Sequence, residues 1–237
     1  MSGGAWFRQA VELAWRHPKV LLPWIPVLVL NIFATLLQGY LRALLLFAVV
    51  SWAVATTLFF LEQVAQGKHP SLDEATRRGL GRLPSMVGLE LVILVLICLL
   101  TVAPAAVAYA FLREHWVALI LLWLLLFLVL KFLLVRLALA GAALILGGAA
   151  ILDALAESWS TTHAVFLPIL GLLLRVALLG VFATLLGRHV PWIGPLFEGL
   201  GDTAGAYLAT AGLGYAYLAL LPAEETGSSS AMSTSPE

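Results

Sequence analysis

Charge is scarce in this sequence. Thirteen Lys and Arg and thirteen Asp and Glu make up 11% of the 237 residues, against about a quarter in a soluble domain. The two signs cancel, so no global field favours nucleic acid or an acidic partner. Cysteine is scarcer still. Cys98 stands alone, so no internal disulfide can form and thiol usage says nothing of the redox compartment. Metal-ligand spacing is missing as well: His17, His69, His115, His163 and His189 are scattered, with no His-x-x-x-His pair to share a helical face. Asp153, Ser158 and His163 lie five residues apart, a spacing that does not bring them to one helical face as a hydrolytic triad. There is no P-loop, and the string from Gly199 to Ala204 follows no strand, which removes its meaning as a dinucleotide fingerprint. The sequence reads as non-enzymatic, with no cofactor and no metal.

Apolar residues are what is there, at 62% with a mean hydropathy of +1.03. That is too much to leave in water as a disordered chain and too little polar surface for a soluble globule. A bilayer core needs about 20 apolar helical residues. Six stretches qualify, at residues 20–40, 42–61, 86–112, from 115 onward, 164–187 and 197–221. They are continuous, where a transmembrane barrel would alternate over about ten residues. The first is long enough to span and lacks a small-x-small cleavage site, which argues against a cleaved signal peptide. The fourth, 116–146, exceeds one span, which predicts strong tilt or a helix that projects from the membrane and ends near Gly147 and Gly148. Pro104 is expected to kink the third span.

Orientation follows from the basic residues. With the N-terminus inside, the inner segments hold Arg8, Arg16, Lys19, Lys68, Arg77, Arg78 and Arg82, and the outer connections only Arg42, Arg113 and Arg188. Positive charge favours the cytoplasmic side, so both termini are expected there.

Three inner segments have helical apolar spacing: Phe7, Ala10, Val11 and Ala14; Leu72, Ala75, Gly79, Leu80 and Leu83; Ile151, Leu155 and Trp159. Charged residues occupy the opposite faces, which is the signature of helices lying in the membrane interface. In each, an alanine (Ala10, Ala75, Ala154) precedes Trp15, Leu80 or Trp159 by five residues, and a proline follows (Pro18, Pro84, Pro168). The chain therefore reads as an all-α polytopic bundle of six transmembrane helices plus three cytoplasmic interfacial amphipathic helices. Its single domain, 1–221, divides into pseudo-repeats at about 5–66, 67–147 and 148–221. Ser71 before Asp73 and Glu74 has the capping-box pattern. Residues 222–237 are Ser-rich and polar, the composition of a disordered tail.

Gly67, Lys68, Pro70 and Ser71 leading into Ala75, Arg77 and Arg78, together with Ala154, Ser158 and Trp159 before the fifth span, carry a resemblance. They resemble the membrane domain associated with bacterial glycerophosphoryl diester phosphodiesterases and its six-span inner-membrane relatives, the YciC-like group. The resemblance covers about residues 5–221, on motifs of low specificity. It implies six helices in a bacterial-type plasma membrane. It carries no activity, because in such proteins the phosphodiester chemistry belongs to a separate soluble domain. Leu80 departs from the family's aromatic at that position.

Ionisable residues within spans are the functional candidates. Arg175 lies eleven residues into the fifth span, near midplane at about 1.5 Å per residue. It reads as an anion or headgroup site, as a gating charge, as a structural partner of Glu90, Asp202 or Glu198, or as a snorkelling cation. Glu90 reads as an ion-pair partner of Arg136 or Lys131, or as a proton-coupling carboxylate. Asn31 and Gln38 suit hydrogen bonds between helices. Gly201, Gly205, Ala209, Gly212 and Ala216 suit close helix packing, within or between subunits. Lys68, Arg77, Arg78 and Arg82 face anionic headgroups, at about 1 kcal/mol each. The partners implied are the lipid bilayer and its anionic headgroups, with a membrane-protein partner or a second copy also open.

Overall fold

In hydrocarbon each backbone N–H and C=O must be satisfied within its own segment, so long uncharged runs coil. The computed structural model describes residues 2–32, 39–112, 115–189 and 194–221 and contains no strand among them. Helix α1 (Gly3–Arg16) leads through a 3-10 segment (Pro18–Trp24) into α2 (Ile25–Ile32). Then come α3 (Gly39–Ala65), α4 (Leu72–Ile97), α5 (Ala103–Leu112), α6 (Trp116–Arg136), α7 (Ala140–Leu146), α8 (Ile151–His189) and α9 (Gly194–Leu218). Four helical segments are long and apolar enough to cross a membrane: Ala43–Ala65, Leu72–Ala106, Trp116–Leu146 and Ile151–Gly187. Pro18–Ile32 is apolar but short. Residues 33–38, with Gln38 and part of the second half of the first expected span, lie outside the described residues, as does the tail 222–237. Helix α9 is rich in Gly and carries Glu198, Asp202 and three tyrosines, which lower its hydropathy, and it falls outside the four.

The prolines act in different ways, and this alters the expected boundaries. Pro18 starts the 3-10 segment and separates α1 from α2. Pro84 is absorbed: α4 runs unbroken from Leu72 to Ile97, so its polar first turns are one rod with the span above. The third polar segment also continues into its span, but across a kink at Val165 (φ −121°, ψ 21°), three residues before Pro168. Pro168 has no N–H for the carbonyl of Ala164 and its ring crowds that oxygen, which forces the bend. Pro104 follows a widened π turn, Cys98–Val102, that joins α4 to α5; the extra residue relieves the same clash without ending the helix.

The fourth stretch is not one continuous helix. It breaks at residues 137–139 into α6 and α7. Its end comes where the glycines place it, with Gly148 at φ +65° supplying the left-handed turn. At the start of α4, Ser71 Oγ accepts from the Glu74 N–H at 3.4 Å. The Ser71 N–H donates to Gln63 Oε1 of α3 at 2.7 Å, so the reciprocal half of the cap comes from the preceding helix, and Glu74 turns to Arg78 instead.

Burial is concentrated at one end. From Ser51 to Gln63, α3 is almost wholly buried. Around it lie His17 just after α1 against Phe60, Trp24 bonded to Thr57, Gly79 of α4 against Thr56, and Gly214 of α9 against Leu58. Toward the other end the helices expose their leucines, among them Leu94, Leu124 and Leu178. The small-residue stripe of α9 is spent within the chain: a Cβ on Gly201 would meet Ala183, and Gly205 and Gly212 press on Val176 and Leu172 of α8.

Candidate functional site

The three polar segments gather at the packed end, each resting on a helix from elsewhere in the chain. Ala10 of α1 accepts at its carbonyl from Tyr207 OH of α9 at 3.1 Å, α4 sets Gly79 against Thr56 of α3, and α8 joins the α6–α7 break through Ser158. The alanines Ala10, Ala75 and Ala154 are each 0% exposed, whereas Trp15, Leu80 and Trp159, five residues on, are 88%, 54% and 44% exposed. A methyl group permits the close approach. Five residues on, the helix has turned by about 500°, carrying that side chain away from the contact.

The α6–α7 break is the most specific polar arrangement. An interrupted helix leaves a carbonyl and an N–H without partners. Ser158 supplies both: its hydroxyl donates to Arg136 O at 2.8 Å and accepts from the Leu139 N–H at 3.2 Å. Thr162 Oγ1 also lies 3.2 Å from Arg136 O and 2.7 Å from Ser158 O. The Arg136 side chain folds toward the same helix. Nη1 donates to Trp159 O at 3.1 Å, Cζ lies 5.1 Å from the Phe132 ring centroid and 5.2 Å from that of Trp159, and Nε is buried with no hydrogen-bond partner. Two aromatic faces thus hold the cation at the end of α6.

Arg136 is therefore no partner of Glu90, and neither is Lys131. Lys131 is exposed, with Nζ 5.3 Å from the Phe127 ring centroid. Glu90 meets Ser51 instead, with 2.7 Å between a carboxyl oxygen and Ser51 Oγ, which also lies 2.8 Å from Phe47 O. A hydroxyl has one proton, and Phe47 O can only accept. Ser51 therefore donates to Phe47 O or to the Glu90 carboxyl oxygen, one at a time.

Arg175 is exposed on α8 and bonds within its own helix, with Nη1 donating to Gly171 O at 3.0 Å. Its guanidinium reaches over Gly4 of α1. Asp202 and Glu198 are exposed, and neither they nor Glu90 form an ion pair with Arg175. Asn31 donates to Thr203 Oγ1 at 3.3 Å, linking α2 to α9.

Of the expected headgroup-facing residues, Lys68, Arg77 and Arg82 are exposed without an ion pair, whereas Arg78 is engaged. It lies 3.0 Å from Glu74 and 3.5 Å from Glu62, with its guanidinium over Phe59. Its role is to tie α4 to α3. Among the described residues no group of three or more His, Cys, Asp or Glu is arranged to hold a metal ion.

Sequence reasoning missed the Ser158–Arg136 junction. Its signal was the excessive length of the fourth run, which demanded a break, with a serine and tryptophan standing together just downstream. No family model matches the chain, and no curated protein and no solved structure matches it either.

Proposed function

We propose that this chain is a six-span protein of a bacterial-type inner membrane, with both termini cytoplasmic. It acts without catalysis, through lipids or a membrane partner, in assembly or membrane homeostasis. The two further spans are the stretch 20–40 and α9. The packed end faces the cytoplasm, and its three polar segments lie at the headgroup level. The carrying observation is that all three sit at that end, each presenting an exposed apolar residue (Trp15, Leu80, Trp159), with exposed cations near the first two and the half-buried Arg136 against the third. A polar–apolar boundary is where such surfaces are stable. The resemblance to the phosphodiesterase-associated membrane domain agrees with this reading.

The alternative, a small transporter with a polar site around Arg175 and Glu90, has less support. The two residues sit on α8 and α4, and each is satisfied elsewhere.

Single cysteines test the topology in a Cys98→Ser background. Arg77→Cys and Ser160→Cys should react with an impermeant thiol reagent only in inside-out vesicles, and Glu114→Cys only on intact cells. The opposite pattern overturns the orientation. Labelling of Arg77→Cys and Ser160→Cys from different sides removes the six-span count.

A further inference from the structure

We propose that the groove between α1, the 3-10 segment, α2 and α9 holds one acyl chain of an anionic phospholipid whose headgroup rests on α1. This rests on the orientation proposed above. The groove has a volume of about 350 Å³, with walls that include Val11, Leu21, Ile25, Leu28, Leu200 and Leu208. That volume lies at the lower end of the range for small-molecule sites.

The polar side-chain atoms of its walls are already engaged elsewhere. Trp24 Nε1 donates to Thr57 Oγ1 at 2.9 Å, Tyr207 OH donates to Ala10 O at 3.1 Å, and Thr203 Oγ1 accepts from Asn31 at 3.3 Å. A groove whose walls are hydrocarbon and whose few polar atoms are turned to such partners selects hydrocarbon. It also has direction. On α9 it extends from Leu200 to Leu208, about 12 Å of helix. The Tyr207–Ala10 bond ties its Leu208 end to α1, while Leu200 and Leu28 lie away from α1 along the spans.

At the α1 end the lip is cationic and aromatic. Arg8 and Trp15 flank Val11 at three and four residues, so they share its side of the helix. Lys19 stands two residues before Leu21. Arg8, Lys19 and Trp15 are exposed, and neither Arg8 nor Lys19 is in an ion pair. A phosphate at the lip with its chain running toward Leu28 satisfies both halves, and the two free cations favour a net negative headgroup.

The test uses the full chain in detergent, titrated with phosphatidylglycerol, phosphatidylcholine or free oleate and examined by native mass spectrometry. Phosphatidylglycerol should be retained best. Ile25→Trp, which fills the groove from an exposed position, and Ala204→Phe, which fills it from α9, should each weaken its retention by about tenfold, a change of about 1.4 kcal/mol. The Arg8→Ala/Lys19→Ala variant should erase the preference over phosphatidylcholine and leave chain binding in place. Unchanged retention in a folded Ile25→Trp variant overturns the proposal, and so does equal retention of oleate by the wild type. A dimer that Ile25→Trp dissociates would assign the groove to a second copy and also overturn it. Failure here with cysteine labelling as expected rejects the groove alone; reversed labelling rejects the orientation beneath it.

Discussion

Replacing Ser158 with alanine should uncouple the α6–α7 break from α8. Ser158 is 1% exposed and Leu139 is 0% exposed, so water cannot take over the lost bonds. The Leu139 N–H loses its acceptor, while Arg136 O keeps Thr162 at 3.2 Å. One unsatisfied buried donor costs about 1–3 kcal/mol. Side-chain hydrogen bonds between membrane helices average about 0.6 kcal/mol, with a maximum near 1.7. The two ranges meet at about 1–2 kcal/mol for Ser158→Ala, which for a chain of this length lowers Tm by about 2–8 °C. Thr162→Val keeps the side-chain shape and leaves both break groups bonded to Ser158, so its loss should be smaller. The double variant removes both donors from Arg136 O, and its loss should exceed the sum of the single losses by about 0.5–1 kcal/mol. Thermal unfolding in a fixed detergent, followed by fluorescence-detected size exclusion, reads all three. A Ser158→Ala protein as stable as the wild type, or a Thr162→Val protein that loses more, would refute the reasoning.

Glu90→Gln should stay within about 0.5 kcal/mol of the wild type, because the amide oxygen can accept from Ser51 Oγ where the carboxyl oxygen does; a Tm drop as large as that of Ser158→Ala would show that Glu90 carries a charge the bundle requires. Gly201→Ala should cost about 1–3 kcal/mol, since its methyl meets Ala183 of α8 and the helices must separate. Gly81→Ala, with no atom within 4 Å of the new methyl, should instead stabilise α4 by about 0.5–1 kcal/mol; equal effects at the two glycines, measured by the same unfolding assay, would contradict the α8–α9 packing. Arg175→Leu should leave yield and monodispersity unchanged, because the side chain is exposed and bonds only to Gly171 of its own helix; aggregation of the purified variant would mark Arg175 as structural.

Several features could be read from the residues directly. Long uncharged runs imply helices in hydrocarbon because hydropathy is a property of each segment by itself. The start of α4 at Ser71 and the end of α7 before Gly148 were legible for the same reason, since caps and left-handed glycines act within a few residues. The candidate site was less legible. Arg136 and Lys131 matched Glu90 as charges at similar depth, but depth does not specify azimuth, and the two cations turned to aromatic rings while Glu90 turned to a serine.

From the sequence alone came the helical class, apolar stretches that include the four helices long enough to cross a membrane, and the polar segments that interrupt them. The tertiary structure decided that Pro84 is absorbed while Pro168 bends its helix, that α6 and α7 part over Ser158, and that the glycines of α9 meet α8 of the same chain. The division has a physical cause. Solvation and backbone propensity accumulate along the chain from neighbouring residues, whereas a break or a close contact is stable only when a group far away in sequence arrives to satisfy it.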